Sequence, residues 1–343
     1  MFRRSAENYE DKGIIEMRPQ YQEDFLASNL SFFIAMALFC LFPCVYESAA
    51  ADESRFSRFL GGCQLLPNGR IFPGYLADTS ESRIAGVWNK DRNFGWIWDA
   101  TLGGHIPALR IGSRNGSPPT GFQIDFEGNA HLRLDFENDF ELYSTDYRAG
   151  LQISWGGRYW QFKTGYCHVS SHVGDEYFIR RLTPSLEAGE QFSEYRFRTS
   201  YSRDSLLAAV AFRPHPAMRL YGEVDFNMGN VGSKNEKRKN CTVYRFGVEY
   251  SASLTSDTPS RLNFMNLPNF SHLRPFAAIH TNLFEQFDYN GNVCVQFGIQ
   301  NRGSNNQLFR LGVQYFYGVS EQYQFAAKYP PENKFGFGVW YDY

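Results

Sequence analysis

The sequence predicts an all-β fold, a single antiparallel transmembrane β-barrel of about 12 to 14 strands. Three observations support this prediction. The last strand alternates in polarity and ends on an aromatic residue, and the run Phe122–Phe136 alternates for much longer than a usual soluble strand. Aromatic residues make up 17% of the chain, yet the mean hydropathy is only −0.43. A barrel with one wet and one apolar face gives this combination, whereas a helical bundle needs several long apolar runs.

The C-terminal strand, Phe335–Tyr343, places apolar or aromatic side chains at every second residue. Its other face carries two glycines, Trp340 and Asp342, as expected for a strand between lipid and a barrel interior. This ending resembles the C-terminal signature of bacterial outer-membrane barrels, which implies recognition by the barrel assembly machinery. The competing interpretation is the last strand of a soluble exported sandwich.

In the run Phe122–Phe136, the even positions are apolar or glycine and the odd positions up to 135 are polar. A tilted barrel strand is expected to place the odd residues inside, where mixed charges form either a salt-bridged plug or a selective pore. The interior residues of this run are Asp125, Glu127, His131, Arg133 and Asp135. One or two strands are predicted between 94 and 112, and others at 147–156, 158–170, 191–201, 205–213, 217–228, 241–253, 272–283, 292–301, 307–317, 320–329 and 333–343, with 202–204 as a turn.

The N-terminal region indicates an exported protein. The apolar segment Leu30–Val45 precedes small residues of the kind that a signal peptidase cleaves, so residues 1–51 are predicted as a leader, with Met17 as an alternative start. A membrane anchor is the other interpretation of this segment. Residues 52–93 are predicted as an irregular periplasmic segment and 94–343 as the barrel, in the outer membrane of a Gram-negative-type envelope.

Charge and cysteine content narrow the function classes. The formal net charge of −2 favours no nucleic-acid partner, and outer-membrane lipid is the expected contact instead. Four cysteines remain after the leader: Cys63, Cys167, Cys241 and Cys294. They allow three disulfide pairings, between which the sequence does not choose.

One segment, Gly165–Tyr177, concentrates residues that could carry chemistry. It contains a Ser-Ser-His-x-Gly-Asp-Glu core that ends at Glu176, and the element Ala77-Asp78-Thr79 lies upstream. On these motifs the exported chain resembles domain-of-unknown-function family 1207. The resemblance implies an outer-membrane barrel and brings no established activity.

The pair His168-Val169-Ser170 gives a second, more local resemblance, to outer-membrane phospholipase A and the lipid A deacylase. In those families the serine of a His-x-Ser strand is the nucleophile and the histidine is the base. His168 and Ser170 share the face of the aromatic residues Trp160 and Phe162, so we expect them to point toward lipid on the outer side. Asp175 and Glu176 are candidate acids to orient the imidazole.

Other interpretations of this segment stay open. His168 and Ser170 could simply anchor a structured loop, or His168, His172, Asp175 and Glu176 could hold a metal, calcium through the carboxylates or zinc through the histidines. The leading functional prediction is a structural barrel or narrow pore that requires no cofactor. The alternatives are a lipid acyl hydrolase and the loop metal site.

Overall fold

The structure is a computed structural model that describes residues 62–112, 119–177, 179–180, 201–228, 241–251, 273–303, 307–326 and 330–343. The described strands form one sheet: β1 (Cys63–Leu65), β2 (Ile84–Asp91), β3 (Gly95–Gly112), β4 (Gly121–Asp135), β5 (Glu141–Gly156), β6 (Trp160–Val173), β7 (Tyr201–His215), β8 (Met218–Asn227), β9 (Val243–Ser251), β10 (Arg274–Phe284), β11 (Gly291–Arg302), β12 (Leu308–Gly318) and β13 (Glu332–Asp342). Among these residues, no helix is long and apolar enough to cross a bilayer.

Strands β2 to β13 close into an antiparallel barrel. Each pairs with the next along the chain, and β13 pairs with β2, with Phe337 opposite Trp88. The short strand β1 adds to β3. Closure leaves the twelve wall strands without a free edge, which confirms the predicted all-β barrel and its strand number. We call the end at Asp342 the proximal end and the opposite end, where β6 stops at Val173, the distal end.

The predicted alternation sets what each face of the wall carries. Phe122 and Phe126 of β4 point outward and are about half exposed, as are Phe335 and Phe337 of β13. The intervening residues point inward. The five interior residues predicted from β4 are all buried: Asp125, Glu127, His131, Arg133 and Asp135. The wall therefore has an apolar outer face and a charged inner face.

Residues 69–83, here called the N-terminal plug, lie inside the barrel. The Tyr75 hydroxyl donates to Glu223 Oε2 of β8 at 2.7 Å, and Arg310 Nη1 of β12 donates to the Leu76 carbonyl at 3.1 Å. Such contacts reach walls on several sides of the lumen. They also satisfy carbonyl groups of an irregular segment, which would otherwise be buried without partners.

A second segment, residues 319–326, enters the lumen from the distal end between β12 and β13; we call it the returning loop. Ser144 Oγ of β5 donates to Gln322 Oε1 at 2.8 Å, and the Phe325 side chain is fully buried. The predicted strand at 320–329 is therefore wrong over its described part, 320–326. Its glutamines alternate with aromatic residues as in a strand. In the lumen, however, the glutamines hydrogen-bond to the wall and the Phe325 ring is buried.

Buried ion pairs join the returning loop to the wall. Arg133 Nε contacts Asp99 Oδ1 at 2.7 Å, and its two other nitrogens contact Glu321 of the returning loop and Glu332 of β13 at 2.8 and 2.5 Å. Lys334 Nζ lies against the same three carboxylates. The sequence leaves open whether the interior charges form salt bridges that fill the lumen or line a selective pore. Among the described residues, they form salt bridges.

Two boundaries differ from the predictions. The barrel begins at Ile84 rather than at 94, because β2 completes the wall between β13 and β3. The predicted turn at 202–204 is part of β7, since Arg203 points into the lumen and contacts Asp225 at 2.6 Å. The predicted leader and the predicted strand at 191–200 lie outside the described residues. Cys167 and Cys294 are buried free thiols.

Candidate functional site

The distal part of β6 places two histidines and a serine on the outer face of the wall. His168, Ser170 and His172 alternate with the buried residues Val169 and Ser171. The outward orientation predicted from strand parity is therefore confirmed. Ser171 turns inward, where its hydroxyl bonds to the Asp146 carboxylate. Of the two adjacent serines, only Ser170 is available on the outside.

His168 contacts a carboxylate on the neighbouring strand. Asp204 of β7 lies directly opposite His168 in the strand register, and its Oδ1 is 2.8 Å from His168 Nδ1. The Tyr166 hydroxyl donates to the same oxygen. Because an ionised carboxylate only accepts hydrogen bonds, this contact places the proton of the neutral His168 imidazole on Nδ1 and leaves the lone pair of that form on Nε2.

Ser170 makes its hydrogen bond to the other histidine. Its Oγ lies 2.9 Å from Nε2 of His172, and the His172 ring packs edge-on against Tyr147 of β5. Ser170 therefore lies between two imidazoles, His168 and His172, each two residues away on the same strand face. The three side chains and Asp204 lie at neighbouring positions on one face of the wall, and we call them the β6–β7 site.

The two predicted orienting acids lie elsewhere. Asp175 and Glu176 are exposed in a short helical turn after β6, where Glu176 Oε2 accepts from the Leu142 amide at 3.4 Å. Within the described part of the chain, neither carboxylate contacts His168 or His172. The acid beside His168 is Asp204, which the sequence analysis assigned to a turn. Strand parity could have placed Asp204 on the outer face, but not beside His168.

The patch is polar but accessible. The side chain of His168 is 41% exposed and that of Asp204 is 25% exposed. A carboxylate, an imidazole with a fixed tautomer and a hydroxyl are the components of a serine nucleophile with its base. A closed antiparallel barrel with an apolar outer face and a charged inner face resembles, in its fold, the outer-membrane class of β-barrels.

The comparisons with known proteins agree with that class. The chain belongs to the family DUF1207, described as a protein of unknown function, whose model matches residues 54–343. No curated protein sequence matches the chain.

Solved structures show the same fold. Outer membrane phospholipase A from Escherichia coli is 12% identical, with a TM-score of 0.51 over 85% of this chain and 98% of that one. The outer membrane phospholipase dimer of Salmonella typhi with bound calcium is 13% identical, with a TM-score of 0.50 over the same shares of the two chains. LpxR from Salmonella typhimurium is 10% identical, with a TM-score of 0.34 over 73% of this chain and 89% of that one. At these identities, the likeness to the two phospholipases establishes the fold alone.

Proposed function

We propose that this protein is an outer-membrane lipid acyl hydrolase whose β6–β7 site works on the outer surface of the barrel wall. Ser170 is the nucleophile, His168 is the general base and Asp204 orients His168. The hydrogen bond between Asp204 and His168 Nδ1, on the wall face that also carries Ser170, is the observation that supports this function best. It prepares Nε2 of His168 to accept a proton.

The reaction follows from these roles. The Ser170 hydroxyl attacks the carbonyl carbon of a lipid ester while its proton passes to Nε2 of His168. The tetrahedral intermediate expels the lipid alcohol, which takes that proton from His168, and an acyl group stays on Ser170. Water then attacks the acyl group, with His168 again as the base; the bond to Ser170 Oγ breaks, His168 returns the proton to that oxygen, and the fatty acid leaves.

Ser170 reaches His168 by turning away from His172. Residues i and i±2 on one strand face are about 7 Å apart at their Cα atoms, so both imidazoles are equally near along the strand. Rotation of the small Ser170 side chain about its Cα–Cβ bond exchanges one partner for the other. We assign His168 as the base because the Asp204 carboxylate holds its tautomer. Apart from Ser170, His172 contacts the ring of Tyr147, which does not fix a tautomer.

The position of the site suits a lipid substrate. The outer wall carries a dense set of half-exposed aromatic residues, among them Phe162 of β6 and Phe226 of β8, which suits contact with the bilayer. A lipid that moves along the membrane would meet the site directly. The lumen is less suited to the passage of solutes, because the N-terminal plug and the returning loop occupy it and form buried ion pairs there. This favours the hydrolase over the narrow pore.

The test measures fatty acid release by the pure, folded protein. Wild-type protein in mixed micelles with phospholipid, and separately with lipid A, is expected to release fatty acid; calcium is supplied in one arm and chelated in another. Ser170→Ala should lose at least about a hundredfold in rate, as expected for a missing nucleophile. The control is Ser202→Ala, which removes the outward-facing serine opposite Ser170 and should retain activity.

Two results would count against the proposal. Absence of fatty acid release from both lipids with calcium supplied would remove the hydrolase, as would equal release by Ser170→Ala. The choice of base has its own test, since His168→Asn should lose activity while His172→Asn stays within about tenfold of wild type. The opposite ranking would make His172 the base. Recovery of the protein in the soluble periplasm would reject the membrane location.

A further inference from the structure

A second cluster of ionisable side chains lies inside the barrel, on the opposite side of the wall from its outer face. Asp99 of β3, His131 of β4 and Glu321 of the returning loop each offer one ligand atom, and these atoms lie within 4.8 Å of one another. The side chains of Asp99 and Glu321 are 5% and 2% exposed, and His131 is 3% exposed as a residue. We call this group the lumen cluster.

Two atoms of the lumen cluster lack hydrogen-bond partners. Nδ1 of His131 and Oε2 of Glu321 are both buried and unsatisfied among the described residues. A buried polar atom without a partner costs about 1–3 kcal/mol, so such atoms call for an explanation. The three side chains line one cavity of about 20 Å³, which exceeds the space that a single water-sized atom needs.

The charge around this cavity is unbalanced. Asp99, Glu321 and Glu332 surround Arg133 and Lys334, so three carboxylates face two cations and one negative charge remains. An uncompensated charge in a buried network is strongly destabilising. Asp78 and Arg83, which also line the cavity, carry opposite charges. The excess of negative charge therefore attracts a cation, which would also give partners to the two unsatisfied atoms.

We propose that the lumen cluster binds one divalent transition-metal ion, of which zinc is the probe. Nδ1 of His131, Oε2 of Glu321 and a carboxylate oxygen of Asp99 are the ligands. An imidazole nitrogen with carboxylate oxygens suits zinc or a similar ion, whereas calcium and magnesium prefer oxygen alone. Because the returning loop supplies one ligand and the wall supplies two, the metal would fasten the loop inside the barrel.

A second group in the lumen differs in its charge balance. Glu81, His105 and Glu127 also lie within 4.8 Å of one another. His105 Nε2 is already 2.8 Å from Glu81, and Arg148 is 3.1 Å from Glu127. With Arg70 beside Glu81, two arginines balance the two carboxylates, so no added cation is required. This group provides a matched control for the lumen cluster.

The experiment loads the full protein with zinc while it folds, because the cluster is enclosed. After folding and gel filtration in chelator-treated buffer, elemental analysis is expected to find about one zinc per wild-type chain. His131→Asn and Glu321→Gln should retain less than about a fifth of it. His105→Asn, which alters an equally buried histidine between two carboxylates, should retain the wild-type amount.

A second measurement keeps the test decisive if a variant folds poorly. Wild-type protein folded with cobalt should show visible absorption bands of a bound ion, and added zinc should remove them. Heat-modified mobility on gels reports whether each variant has closed its barrel. Wild-type protein that carries no zinc and no cobalt bands would overturn the proposal, as would equal zinc in wild type and a closed Glu321→Gln barrel.

Discussion

The β6–β7 site and the lumen network around Arg133 are built from the same kinds of residue but stand in opposite environments. Inside the barrel, Arg133 makes three carboxylate contacts and has no measurable exposure. On the outer wall, His168 makes one carboxylate contact and keeps 41% of its side chain exposed. The interior groups have exchanged water for fixed partners, whereas the outer groups remain reachable by another molecule.

The difference separates residues that hold the fold from residues available for chemistry. A buried charge stays only where partners compensate it, so removing a partner destabilises the barrel. The outer histidine and serine are under no such constraint, because strand pairing and the apolar band do not depend on them. Mutations in the lumen should therefore change stability first, and mutations in the β6–β7 site should change activity first.

The largest effect is expected from Arg133→Ala. Of the two cations in this network, Lys334 then remains beside the three carboxylates of Asp99, Glu321 and Glu332. Breaking a buried ion pair costs about 3–5 kcal/mol, and we expect a decrease of that size in the free energy of unfolding. Urea unfolding followed by heat-modified gel mobility measures it. A decrease below about 1 kcal/mol would mean that the network around Arg133 is not what holds the returning loop.

Asp204→Asn should separate activity from stability. Removing the charge weakens the hold on the His168 tautomer, and we expect the hydrolysis rate to fall at least about a hundredfold, about 2.7 kcal/mol in barrier height. The unfolding free energy should change by less than about 1 kcal/mol, since both side chains of the pair are partly exposed to solvent. Rates and urea unfolding of the same preparation provide both numbers. A variant that loses stability but keeps its rate would reverse the proposed contrast between the two regions.

The sequence predicts which face of the wall each residue occupies better than it predicts which residues are neighbours on that face. Period-two alternation fixes the face of each residue, and so His168 and Ser170 were correctly placed outside and Arg133 inside. Alternation does not fix which residues are neighbours across strands. A long connection joins β6 to β7, so no tight turn sets their register, and Asp204 could not be paired with His168 in advance.

The returning loop shows a second limit of the pattern. Within this loop, residues 322–325 alternate between glutamine and aromatic side chains, which in isolation predicts another wall strand. They lie in the lumen instead, where Glu321 meets Arg133 and Phe325 packs with Phe94 and Tyr177. A closed barrel has no free edge to which a further strand could add. The polar side chains of this loop instead provide hydrogen-bond and ion-pair partners for the charged inner face.

A smaller effect is expected from Tyr75→Phe in the N-terminal plug. The substitution removes the 2.7 Å hydrogen bond to Glu223 but keeps the ring stacked on Tyr221. Lys163 and Arg245 still neutralise Glu223, so we expect the unfolding free energy to fall by about 1.5–3 kcal/mol, the range for one hydrogen bond to a charged group. Urea unfolding is the measurement. No change would show that the plug is held by its rings rather than by this bond.

The smallest effect should come from Lys90→Ala, which tests an ion pair on the outside of the same barrel. Lys90 Nζ lies 3.2 Å from Glu137, with both side chains about half exposed, and 5.3 Å from the centre of the Trp96 ring. Water screens such a pair, and we expect a loss below about 1 kcal/mol in the urea experiment used for Arg133→Ala. The ratio of the two losses measures how much burial adds to an ion pair in this fold. Equal losses would show that closure of the wall, rather than the enclosure of charges within it, sets the stability of the barrel.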